Sequence, residues 1–225
     1  MIDLRRDGAV FVLTLDAGEN RFHPDFVSAV NAALDEVEAA GSPAALVTTG
    51  AGKFYSNGLD LEWMGTAGTS GARDGLVRSL ALLARILTFP CYTVAAVNGH
   101  AFGAGAQLAV AHDLRLMRTG RGYFCMPEID MGVHLHPGMV GLLQARLPLQ
   151  TVHEVIVTGK RYGAEDALVA RIVERALPEE QLLPAAIAAA AGMASKASSA
   201  MGRLKRGLYG PALEALAEMP SELFS

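Results

Sequence analysis

Three short stretches combine residue types that could carry chemistry. The first, Gly50 to Met64 (GAGKFYSNGLDLEWM), places Gly52, Asn57 and Gly58 between a buried apolar run and a short amphipathic helix. Backbone N–H groups at such a junction have no partner within the helix and can donate to negative charge developing on a ligand. The plainer account is an ordinary loop in which Asp60 stabilises the helix start. The second, Val97 to Asp113 (VNGHAFGAGAQLAVAHD), again runs from strand to helix and carries Gly99, Gly103 and Gly105. Its G-x-x-x-G-x-G spacing and mid-chain position do not fit a dinucleotide fingerprint. Its glycines are read either as close packing of a small-residue helix on a strand, or as delivery of a second N–H beside the first.

The third stretch, Phe124 to Met139 (FCMPEIDMGVHLHPGM), holds Glu128, Asp130, His134 and His136. A carboxylate here could move protons if Phe124, Met126, Val133 and Leu135 made a dry surround that raised its pKa. The segment reads as strand-like, so Glu128 and Asp130 would share a face, where two carboxylates perturb each other. No motif supplies a third ligand to the two histidines. A lining or packing role is therefore preferred to a metal site.

The elements that position these stretches alternate between strand and helix patterns. Val10 to Leu15 alternate as a strand, and His23-Pro24-Asp25 opens a helix with Phe26, Val27, Val30, Leu34 and Val37 on one face. Ala44 to Thr48 and Tyr92 to Val97 are continuous apolar runs, with a helix-period stretch from Leu76 to Leu87 between them. A small-residue helix from about Gly103 to Ala111 and a strand-like DLRLM follow. Buried strands separated by helices indicate repeated ββα or βαβ units around a largely parallel sheet. From Pro137 onward helical patterns dominate, with Ile172 to Ala176 the one plausible strand. The alanine-rich LLPAAIAAAAGMASKASSAMGRL reads as a well-packed helix.

Composition narrows the function classes. The 225 residues, 51% apolar, suffice for one sizeable core, and the net charge of -4 with interspersed signs offers no basic surface for nucleic acid. Cys91 and Cys125 sit in apolar surroundings and read as buried thiols of a reducing cytoplasm. The apolar stretch after the N-terminal arginines is too short and too alternating for a signal peptide or membrane span. A soluble protein with no membrane partner is expected.

Taken together, KFYSNGLDLEWM, NGHAFGAGAQLAVAHD and FCMPEIDMGVHLHPGM resemble the three signatures of the enoyl-CoA hydratase/isomerase (crotonase) superfamily, and their spacing agrees. The resemblance covers the chain from Val12 to about Val173. It implies an α/β crotonase (ClpP-like) fold of repeated ββα units with a helical C-terminal region. The core would span residues 1–175, and a shortened helical region 176–225 would pack on the core and at a trimer interface. It implies an acyl-CoA substrate, no cofactor beyond the coenzyme A of that substrate, no metal, and a homotrimer. Carried over position by position, the oxyanion-hole N–H groups fall on Leu59 and Ala104. Substrate or CoA contacts fall on Lys53, Phe54, Ser56, Asn57, Gly58, Gly103, Gly105 and Gln107.

Family hydratases resemble one another in carrying two glutamates, whereas here the first position is Gln107 and only the second, Glu128, is an acid. An amide does not exchange protons near neutrality. A lone carboxylate suffices to shift a double bond, and the pattern looks most like the Δ3,Δ2-enoyl-CoA isomerases of the plant-type and related bacterial branch. Glu128 is accordingly assigned as the acid/base. The alternatives are another enolate-forming member (a hydratase, thioesterase or decarboxylase), a non-catalytic acyl-CoA binding protein, or a structural partner of a larger complex. The terminal Leu-Phe-Ser is not the S-K-L peroxisomal address, so the cytoplasm is the expected location.

Overall fold

A computed structural model describes residues 2–219; residue 1 and residues 220–225, including the terminal Leu-Phe-Ser, lie outside the described residues. The chain opens with an antiparallel hairpin, β1 (Ile2–Asp7) and β2 (Val10–Leu15), and then a helix, α1 (Pro24–Ala39). Three units of similar build follow. The first is β3 (Ala45–Gly50), β4 (Phe54–Ser56), α2 (Leu61–Thr66) and α3 (Gly68–Leu87). The second is β5 (Tyr92–Val97), β6 (His100–Phe102) and α4 (Ala104–Ala111). The third is β7 (Leu114–Arg118), β8 (Phe124–Cys125) and the short α5 (Glu128–Met131). Helices α6 (Pro137–Arg146), α7 (Leu149–Thr158) and α8 (Ala164–Val169) lead to β9 (Arg175–Leu177). The chain then runs through α9 (Glu179–Ala191), α10 (Ser199–Leu208) and α11 (Gly210–Ala217).

Each unit contributes its long strand to one sheet and its short strand to another. The main sheet has the order β1-β2-β3-β5-β7-β9 and is parallel beyond the first pair; β4, β6 and β8 form a second, parallel sheet. This is the repeated ββα arrangement expected from the sequence. It also places the ends of β4, β6 and β8, and hence the three chemistry-bearing loops, side by side.

The main sheet is buried on both faces. Strand side chains alternate between faces, so Val10, Val12, Val47, Val94 and Leu116 face α9, while Phe11, Leu13, Leu46 and Val97 face the larger core with α1, α3 and α4. Alanines Ala186 and Ala190 bring α9 close to the strands, and both are fully buried. The alanine-rich segment is therefore packed as expected, but not as one helix: it ends at Ala191, turns through a 3-10 segment at Ala194–Lys196 and restarts at Ser199 behind the Ser198 cap.

Three other expectations are corrected. Strand β1 was not anticipated. The strand expected over 172–176 lies instead at Arg175–Leu177, where it pairs with β7. The segment at Glu128 is a helical turn rather than a strand, so Glu128 and Asp130 do not share a face. Among the described residues no helix is long and apolar enough to cross a membrane.

Candidate active site

The loop after β4 is moored from beneath. Asn20, fully buried and at a positive φ of 53°, donates from Nδ2 to the carbonyls of Leu15 and Tyr55 and accepts from the Ala17 N–H. Ser56 Oγ donates to the Asn20 carbonyl (2.6 Å), and the Phe22 N–H donates to Gly58 O (2.7 Å). Asn57 donates through its backbone to Glu19 O (2.9 Å) and through its side chain to Glu19 Oε2 (2.8 Å). Bonds from Arg21 and then Asn57 hold the Glu19 carboxyl below its usual range. Asp60 caps α2, accepting from the Trp63 N–H at 3.2 Å, which bears out its reading as a helix-start charge.

Two glycines let the loops approach. Gly58 has φ +85°, and a Cβ on it would stand 2.7 Å from Phe102 O and 3.1 Å from Ala104 N, so this loop meets the start of α4 with no room for a side chain. Gly105 packs α4 onto β4, since its Cβ would stand 2.3 Å from Ser56 O. The close-packing account of the second loop therefore holds for Gly105. Gly103 and Ala104, by contrast, face an open cavity. Among the described residues neither the Leu59 N–H nor the Ala104 N–H donates to a protein acceptor. Both residues line that same cavity.

The cavity, ≈ 350 Å³, has Glu128 on its wall, the only carboxylate there among the described residues. The carboxylate lies over the start of α4, where a Cβ on Gly103 would stand 3.3 Å from its Oε1. Its Oε2 is buried with no hydrogen-bond partner. Burial without a cation pushes Glu128 up from 4.5 to about 6. The dry surround comes from Leu59, Phe102, Met131, Val133, Leu135 and Met139. Of the four residues expected in that role, Val133 and Leu135 are on the wall, whereas Phe124 and Met126 are buried in the core behind it.

The structure thus gathers Asn57, Gly58, Leu59, Gly103, Ala104 and Glu128 around one space. The other residues of the expected site stand off this cavity or take further positions around it. Ser56, Gly105 and Gln107 are buried and do not line the cavity. Gln107 lies on the same helical face as Gly103 and Ala104, with neither end of its amide partnered. Lys53 and Phe54 also stand off the wall: the Lys53 ammonium sits 5.3 Å from the Phe54 ring, which contacts His100, and His100 in turn contacts the wall residue Phe102. His134 and His136 line the cavity; His136 accepts the Gly138 N–H (3.1 Å) to cap α6. Asp130 turns away toward Gly159, whose Cβ would stand 3.0 Å from its Oδ2. Arg21 is a wall residue that no motif announced; it pairs with Glu19 at 2.7 Å. Among the described residues no group of three or more His, Cys, Asp and Glu side chains is placed to hold a metal.

A family model described as enoyl-CoA hydratase/isomerase matches residues 5–220. Enoyl-CoA delta isomerase 2, peroxisomal, of Arabidopsis thaliana is 34% identical over 221 residues, covering 93% of this chain and 92% of its own. A probable enoyl-CoA hydratase of Mycobacterium tuberculosis superposes with a TM-score of 0.88 at 26% identity, over 96% of this chain and 91% of its own. Human mitochondrial delta3-delta2-enoyl-CoA isomerase superposes equally well, TM-score 0.88 at 20% identity over 96% and 85%, which is a likeness of fold.

Proposed function

This chain belongs to the enoyl-CoA hydratase/isomerase family, and on that footing we propose that it is a Δ3,Δ2-enoyl-CoA isomerase working through one carboxylate. The observation that carries the reading is that, among the described residues, one acid lies on the cavity wall, raised to about 6 with its Oε2 lacking a hydrogen-bond partner, beside two N–H donors that lack protein acceptors. A 3-enoyl thioester would seat its carbonyl oxygen at the Leu59 and Ala104 N–H groups. Ionised Glu128 removes a proton from C2, and the electron pair of that C–H bond spreads over C2, C3, C4 and the thioester oxygen. The two donors stabilise the charge arriving on oxygen; losing one such preorganised donor costs about a hundred- to a thousandfold in rate. Protonated Glu128 then returns the proton to C4, the double bond moves from C3–C4 to C2–C3, and the carboxylate is restored.

Hydration is disfavoured because activating and delivering water calls for a second acid/base, and Gln107 is a buried amide. Coenzyme A enters as part of the substrate, with no further cofactor. The Arabidopsis relative, named as an isomerase and matched over nearly its whole length, supports the choice of reaction. A homotrimer completes the reading. It rests on the family resemblance, and the exposed apolar side chains Leu149, Val169 and Leu204 offer surface for self-association. The test is an absorbance assay converting 3-enoyl-CoA to 2-enoyl-CoA beside a hydration assay on 2-enoyl-CoA. Isomerisation well in excess of hydration is expected; the reverse order would contradict the reading.

A further inference from the structure

A chain of buried polar side chains runs beneath the cavity loops, and the proton transfer does not use it. Thr48 on β3, Tyr55 on β4 and His112 at the C-terminal end of α4 are all buried, the last two with no exposed surface. Tyr55 Oη lies 2.7 Å from Thr48 Oγ1, which lies 3.0 Å from His112 Nε2, and His112 Nδ1 lies 2.7 Å from Leu108 O. Burial drives His112 down to about 4, so the ring is neutral and carries one proton. The Leu108 carbonyl can only accept, which puts that proton on Nδ1 and leaves Nε2 as an acceptor. Thr48 therefore donates to His112 and accepts from Tyr55. Every bond in the chain has one donor and one direction.

The chain's ends lie on the two arms that build the oxyanion hole. Tyr55 precedes Gly58 and Leu59 on the first arm, and His112 caps the helix whose first residue is Ala104 on the second. All eight residues of helix α4 are buried, and its side chains hold it by packing rather than by hydrogen bonds. Its residues are small or apolar apart from Gln107, and it meets β4 through the bare backbone of Gly105. Arg115 and Arg146 hold the Val110 and His112 carbonyls, but among the described hydrogen bonds only the His112 ring ties this end of the helix to β3. We propose that Tyr55, Thr48 and His112 are positioning residues that set the separation of the Leu59 and Ala104 N–H donors, a role that rests on the isomerase reading. A misplacement on the order of 1 Å at such donors costs about a hundredfold in rate.

The test uses the full chain as wild type, Thr48→Val, Thr48→Ser and Tyr55→Phe. It measures kcat and KM for 3-enoyl-CoA isomerisation, the thermal midpoint, and the infrared stretching frequency of the thioester carbonyl of a bound saturated acyl-CoA labelled at C1. Thr48→Val is expected to lower kcat about ten- to a hundredfold with KM within about twofold, and to lessen the carbonyl downshift. Tyr55→Phe should move both readouts the same way by less, and Thr48→Ser should restore them toward wild type. Variants that lower only the thermal midpoint, keeping wild-type kcat and carbonyl frequency, overturn the proposal. If Thr48→Val does not fold, Tyr55→Phe decides by the same criteria. A wild type that shifts the carbonyl without isomerising contradicts the reaction alone, and the frequencies of the variants then decide the positioning role. A wild type with neither property overturns both.

Discussion

Glu128 is placed at the first residue of a four-residue helix, over the start of α4 and under apolar side chains, and this placement sets its acidity. Near-neutral solution ionises most of a carboxyl that titrates at about 6, yet leaves its conjugate acid strong enough to reprotonate carbon. The kcat/KM for isomerisation should therefore fall as pH drops through about 6 and level off above it. A profile flat down to the ordinary carboxyl range near 4.5 would contradict the raised pKa of the base. The same shift has a stability consequence of definite sign. The folded chain holds this proton more tightly than the unfolded one. The contribution is thus fully present below 4.5 and lost as pH rises through about 6. It amounts to about 2 kcal/mol from the size of the rise, so an ionised Glu128 is kept at the expense of stability.

At the scale of elements, the site depends on how closely α4 lies on β4. Gly105→Ala would drive a Cβ into the Ser56 carbonyl, displacing the helix that carries Ala104. A loss of about 1–3 kcal/mol in unfolding free energy is expected, together with a fall in kcat exceeding any change in KM. Unchanged kinetics in a destabilised variant would show that the helix need not be held so tightly. Much of this layout was legible in the sequence because buried strands and amphipathic helices leave periodic traces: β2, α1, β3, β5 and α4 all fall close to where the pattern of apolar residues puts them. Strand β1 (IDLRRD) left only a brief one, the alternation of Ile2 and Leu4 with charged residues. It is an edge strand whose charged side chains face solvent, so its identity comes from pairing with β2. Strand β9 likewise lies where β7 offers partners rather than where its own apolar residues end. The four-residue α5 is too short to show a period, which is why Glu128 and Asp130 were expected on one face. The glycine and glutamate positions on the cavity wall were legible through the family signatures. Arg21 and Asn20 were not, because their roles come from a fold-back onto the first loop that no local spacing encodes.

Across the whole molecule, the C-terminal helices are tied to the main sheet. Lys205 on α10 is buried and donates to the carbonyls of Phe89 and Cys91 at 3.0 Å each and to Asp113 Oδ2 at 2.6 Å. Asp113 in turn accepts from the backbone and side chain of Thr93 at the start of β5. Lys205→Met would leave Asp113 without its cation, at a cost of about 3–5 kcal/mol. Faster amide hydrogen exchange through α10 and α11 is the expected signature, and unchanged protection there would show that apolar packing alone holds them. Helix α11 crosses α6 through Gly138, where a Cβ would stand 2.5 Å from Leu216 Cα, and α6 is capped by His136 on the cavity wall. The tail is thus coupled to the wall it backs. The central claim is nonetheless local: one carboxylate carries the proton. Its most direct test is Glu128→Gln, with isomerisation of 3-enoyl-CoA and affinity for a saturated acyl-CoA measured on the same preparation. Isomerisation is expected to be lost while the saturated thioester still binds; isomerisation surviving in that variant would rule out Glu128 as the proton carrier.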